Sequence, residues 1–135
     1  MSYTRDRNVP REVVGRLRLV CLELPEVTEE RAWTGTRWCV RRKNFAHLLM
    51  IESGWPPAYA RAAGTRGPAC VLTFRLDKEN CRALRFRRAP FFRPPWFPNI
   101  AGMLLDSGTD WDEVDVLLRE SYRVLAPRKL GALVE

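Results

Sequence analysis

The chain has a single histidine, His47, among 135 residues, and its four cysteines at positions 21, 39, 70 and 81 form no CxxC pair. Structural zinc sites draw paired ligands from tight local spacings, so this set argues against a metal centre. The same irregular spacing reads as small apolar side chains in a reduced protein, with Cys39 and Cys70 in strand-like runs. Long apolar runs are lacking too. No stretch approaches the ~20 apolar residues of a membrane span, and residues 1–8 lack the apolar run of a secretory signal. The expected setting is cytoplasmic, with no membrane partner. Carboxylates are scarce through the middle of the chain: between residues 31 and 105 only Glu52, Asp77 and Glu79 stand against fourteen Lys and Arg.

What is present is enough to fold. Apolar residues make up 46% of the chain and charged residues 29%, a globular balance far from that of disordered segments. The length suits one hydrophobic core. The expected organisation is a flexible N-terminus over residues 1–9, one domain over 10–130 and a C-terminal tail over 131–135. A net charge of +7, concentrated in the middle segment, suits a surface that faces a polyanion. The alternative is a solvated surface, since twenty of the twenty-three cationic residues are Arg and coding composition alone can produce that bias.

Pro10 opens a helix whose apolar positions Val13, Val14, Leu17, Val20, Cys21 and Leu24 recur at helical spacing, with Pro25 closing it. From Thr28 the period shortens to that of strands. One run ends at Trp33, a second covers Thr36–Arg41 with Trp38 and Val40 on one face, and Phe45–Ile51 is apolar on both faces. Arg42-Lys43-Asn44 makes the turn between the last two, so Arg41, Arg42 and Lys43 project from a hairpin tip. Residues 53–68 read as a Pro- and Gly-rich loop with one helical turn over 58–63. A strand follows at 70–76, then a short helix from Lys78 to Phe86 capped by Asp77, with Cys81 and Leu84 turned inward. Prolines at 90, 94, 95 and 98 among Phe91, Phe92, Trp96 and Phe97 predict a rigid irregular connection. A strand over 99–105 and a helix from Asp110 complete the order. The fold class is α+β, an antiparallel sheet with the terminal helices on one face.

Leu24-Pro25 closing the first helix, Trp33 before Gly35, Lys43 before Phe45-Ala46, Asp77, Pro90 with Phe92, and Ser121-Tyr122 before Leu125-Ala126 follow one another in an order that resembles the MmcQ/YjbR family of small bacterial proteins. The resemblance implies a CyaY-like fold, similar to that of frataxins, and a double-wing surface proposed to bind DNA. Two features depart from the pattern: Ile100 opens the last strand where the family commonly has Trp, and the loop over 53–68 is longer and richer in proline. The frataxin analogy also raises iron handling, which would call for an acidic ridge. The first helix carries Arg11, Arg16 and Arg18 beside Glu12 and Glu23, the wrong balance for one.

Catalysis finds no support in the residues. His47 sits among Phe45, Leu48 and Leu49 and reads as a hydrogen-bonded structural residue. Asp110, Asp112, Glu113 and Asp115 are accounted for by a helix N-terminus, and Gly64-Thr65-Arg66-Gly67 lacks the spacing of a phosphate-binding loop. The expectation is therefore a non-enzymatic protein without cofactor or metal. Its candidate nucleic-acid contacts are Arg37, Arg41, Arg42 and Lys43 at the hairpin, and Arg85, Arg87, Arg88 and Arg93 in and after the short helix. Arginine pairs with phosphate through a planar fork and releases condensed counterions, and the family resemblance implies DNA ahead of RNA. The aromatic residues at 91, 92, 96 and 97 read as core, or as a stacking platform where exposed. The other reading is a protein-interaction module using the loop that holds Trp55 and Tyr59, with a merely solvating basic surface. A monomer or weak dimer is expected.

Overall fold

The computed structural model describes residues 9–134. The flexible N-terminus expected over residues 1–9 lies outside the described residues except for Val9, which is buried. Helix α1 covers Arg11–Cys21. Three strands follow, β1 (Val27–Arg31), β2 (Thr36–Val40) and β3 (Lys43–Ile51), then helix α2 (Pro57–Ala63) and β4 (Ala69–Arg75). After β5 (Phe91–Phe92) and β6 (Ile100–Leu105) come helices α3 (Trp111–Leu125) and α4 (Arg128–Gly131). The six strands form one antiparallel sheet in the order β1-β2-β3-β4-β6-β5.

Helices α1 and α3 cover one face of this sheet, as the periodicity predicts. Leu17 and Cys21 of α1 meet Val114, Leu117, Leu118 and Tyr122 of α3 over Trp38, Val40, Leu48, Leu72 and Phe74. Each fully buried Leu or Phe contributes about 1.5–3 kcal/mol relative to exposure. The Asp110 carboxylate caps α3 by accepting from the amides of Asp112 and Glu113. A register slip between Trp38 and Cys39 leaves Phe45 as an extra residue in β3. Such a bulge lets consecutive side chains share a face, and both Phe45 and Ala46 enter the helix-side core.

The opposite face carries His47, Leu49, Ile51, Val71 and Phe92, and α2 packs over its lower part through Tyr59, Ala60 and Ala63. The single turn expected at 58–63 is thus a helix that closes on Gly64 at φ 71°.

Four expectations need correction. The first strand ends at Arg31, because Gly35 at φ 74° closes a turn over Ala32–Gly35 in which the Ala32 amide bonds the Gly35 carbonyl. A side chain at Gly35 would collide with the Leu48 carbonyl oxygen, so the turn can only close on glycine. The helix expected over 78–86 is two 3₁₀ turns, Asn80–Arg82 and Leu84–Arg87, split by Ala83 in extended conformation. Phe86 points inward and Leu84 is exposed. The connection at 89–98 contains edge strand β5, whose Phe92 ring lies over Gly102. Residues 131–134, read as part of a tail, end in a buried Val134 whose carbonyl accepts from Arg123.

Candidate nucleic-acid interface

Val40 pairs with Lys43 across the β2–β3 hairpin, so the turn is the dipeptide Arg41-Arg42, one residue earlier than the sequence pattern predicts. Both residues have positive φ, 49° and 69°, the signature of a type I′ turn that favours Asn-Gly because left-handed backbone crowds a Cβ. Two long cationic side chains occupy it instead. The tip is less positive than its sequence suggests, since β1 and its lead-in lie alongside. Arg41 donates to Glu26 at 2.6 and 3.1 Å, which holds the Glu26 carboxyl below its ordinary range. Arg37 pairs with Glu30, and Arg18 forks onto Glu29 at 2.9 and 2.8 Å. Arg42 and Lys43 are exposed and form no ion pair among the described residues.

The second arginine cluster divides in the same way. Arg85 donates to Glu113 at 2.8 Å while its guanidinium lies 4.4 Å from the Phe86 ring centroid. Arg93 is a structural residue. It donates to the carbonyls of Ile100 at 3.0 Å, of Cys81 at 2.9 Å and of Pro98, tying the irregular segment to β6. Three of its donors are committed to backbone carbonyls, which leaves it less to offer a phosphate than its neighbours. Arg87 and Arg88, at the end of the second 3₁₀ turn, are exposed and without an ion pair among the described residues. Four of the eight named positions, Arg42, Lys43, Arg87 and Arg88, are therefore exposed with neither an ion pair nor a side-chain hydrogen bond among the described residues.

The aromatic residues split too. Phe91 and Phe92 are buried, whereas Trp96 and Phe97 are 42% and 46% exposed. On the α2 face, Trp33 (61% exposed), Trp55, Tyr59 and Trp96 wall a cleft of about 470 Å³ together with Pro56, Pro57 and Ala58. Trp33 meets Trp55 edge-on at 5.8 Å, and Tyr59 meets Trp96 at 5.0 Å. Sequence reasoning missed this assembly, because its rings come from four places: the β1–β2 turn, the loop after β3, α2, and the connection before β6.

His47 stands behind Tyr59, the two rings meeting edge-on at 6.0 Å. Its Nε2–H donates to the Thr34 carbonyl at 2.7 Å, which leaves Nδ1 to accept from the Tyr59 hydroxyl at 3.3 Å. Cys21 and Cys70 are not poised nucleophiles: burial pushes Cys21 up, and Cys70 up to about 12, the reverse of activation. No group of three or more His, Cys, Asp or Glu among the described residues is arranged to hold a metal ion. No helix among them is long and apolar enough to cross a membrane.

A family model described as YjbR matches residues 22–124. Among solved structures the chain is similar to the Deinococcus radiodurans protein DR2400, which carries a DUF419 domain, with a TM-score of 0.60 and 21% identity over 83% of this chain and 77% of that one. A Pseudomonas syringae protein superimposes with a TM-score of 0.50 at 16% identity, over 76% of this chain and 79% of its own. Nothing among the curated proteins matches. At such identities the two structures speak for the fold.

Proposed function

The chain belongs to the YjbR family, and from that premise we propose that it is a non-enzymatic nucleic-acid-binding protein, DNA being the favoured partner, that contacts phosphates through the β2–β3 tip. The observation that carries this reading is Arg42. An arginine in left-handed backbone costs about 1 kcal/mol where glycine would cost nothing, and here the side chain so displayed is exposed, unpaired and followed by Lys43. Structural needs do not explain it. Arg87 and Arg88 form the second contact region, while Arg37, Arg41 and Arg85, held by Glu30, Glu26 and Glu113, shape the surface and contribute less charge.

The test is fluorescence anisotropy of labelled duplex DNA over a salt series starting at about 50 mM. Affinity should fall linearly in log[salt]. Arg42→Ala and Lys43→Ala should each weaken binding about equally for unrelated sequences and reduce the slope by ~1 per lost phosphate contact. Unchanged affinity and slope in both variants would remove the tip from the interface.

A further inference from the structure

Two concavities adjoin on the α2 face and share Pro57. The first is the aromatic cleft of Trp33, Trp55, Tyr59 and Trp96. The second, of about 380 Å³, is lined by Gly54, Ala60, Gly64 and Thr65 with Arg61 and Arg66. Neither lining contains a carboxylate. Resting on the nucleic-acid reading above, we propose that this pair of concavities binds a single-stranded segment, with an unpaired base among the rings and its phosphate at Arg61 and Arg66.

The shape of the cleft suits a flat guest. Its walls meet at steep angles, 75° between Trp33 and Trp55 and 64° between Tyr59 and Trp96. A planar ring lying on one wall therefore presents its edge to the next, and both arrangements are favourable for π systems. One wall, Tyr59, is also fixed before any ligand arrives, because it is held by His47 and His47 by the Thr34 carbonyl. A fixed ring loses little freedom on binding.

Charge decides among guests that aromatic walls can take. Quaternary ammonium groups favour such cages, but the adjoining Arg61 and Arg66, in a chain of net charge +7, repel a cation. A proline-rich peptide would use the rings and leave the guanidinium groups idle. A nucleic-acid strand uses both concavities at once. Arg61 is exposed and without an ion pair among the described residues, and Arg66, which donates to the Ser53 carbonyl at 3.3 Å, keeps further donors for phosphate.

The experiment compares a labelled short thymidylate strand, the matching uridylate strand, an abasic deoxyribose-phosphate strand of equal length and a duplex. Each is titrated against the wild type, Trp33→Ala and Trp96→Ala, whose ring exposure leaves the core intact and whose melting curves check the fold. The thymidylate strand should bind about tenfold more tightly than the abasic one, and each tryptophan variant should lose about that factor. Duplex affinity should stay unchanged. Equal binding of uridylate would assign the site to unpaired bases on either sugar, and a thymidylate preference would assign it to DNA; both support the proposal. Abasic binding as tight as thymidylate, or two silent variants, would overturn it while salt-sensitive duplex binding kept the phosphate reading. Tryptophan quenching by a proline-rich peptide and not by the strand would give the cleft to a protein partner and overturn it as well. Failure of every strand, duplex included, would remove both readings.

Discussion

The Ser121 hydroxyl of α3 donates a 2.6 Å hydrogen bond to the carbonyl of Phe45, the extra residue of the β3 bulge. The same oxygen accepts from the Arg75 amide at 2.8 Å. A bulge removes a residue from the ladder, and a buried serine supplies the donor that the neighbouring strand no longer offers. Ser121→Ala should therefore cost about 3 kcal/mol, since it strands a buried acceptor and an amide donor together. Urea unfolding checks this as a lowered midpoint at constant slope. A loss below about 1 kcal/mol would mean that the Phe45 carbonyl finds another donor.

Ser121 also illustrates what the sequence makes legible. The α1 and α3 stripes, the shared face of Trp38 and Val40 in β2 and of Cys70, Leu72 and Phe74 in β4, and the cap at Asp110 are local patterns, and all are present; the helix expected after Asp77 is not, and the Asp77 carboxylate accepts from the Asn80 amide in a 3₁₀ turn instead. The other failures are non-local. Counting charge by segment makes residues 31–105 strongly basic, yet Glu26 and Glu30 pair with Arg41 and Arg37 across the hairpin, and Glu29 takes Arg18 of α1. Strand pairing brings the acidic flank against the basic middle, so half the tip is neutralised. Arg93 looks like its neighbours in sequence, but its fork lands on three carbonyls. Strand β5 is only Phe91–Phe92, too short for periodicity. It forms because Gly102 leaves room for the Phe92 ring. The aromatic cleft is half visible in the sequence: Trp55 and Tyr59 read as candidate interface anchors in one loop, but nothing in one dimension joins them to Trp33 and Trp96.

Acid should loosen the first hairpin. Hydrogen bonding from Arg18, helped by the Trp38 indole N–H and opposed by desolvation, holds the Glu29 carboxyl below its ordinary value of 4.5. A carboxyl depressed in the folded state stabilises at pH above its unfolded value, and that contribution is lost as pH falls through the folded one. Thermal melting should show the wild type losing stability more steeply below pH 4.5 than Glu29→Gln, which starts less stable at neutral pH. Parallel curves would mean that the pair with Arg18 is screened by solvent.

Thiol reactivity should follow burial. Cys21, Cys39 and Cys70 are buried with their thiols pushed up, while Cys81 is partly exposed beside the Leu76 carbonyl. An aromatic disulfide reagent at mildly alkaline pH should label Cys81 alone in the folded protein, and Cys81→Ala should abolish that labelling. Denaturant should release all four. Early reaction of Cys70 would mean that the end of β4 near α1 opens in the native state.

Arg42→Gly separates stability from binding. Glycine relieves the left-handed backbone at φ 69°, and even after its extra unfolded-state entropy the variant should gain about 0.5–1 kcal/mol in urea unfolding. The same change removes an exposed, unpaired guanidinium, so duplex affinity should fall and its salt dependence flatten by ~1 contact. Opposite signs would show that the side chain at this position serves binding at a cost in stability. Stability that rises with affinity unchanged would reduce the tip to a solubility device and leave Arg87 and Arg88 to carry the phosphate reading alone.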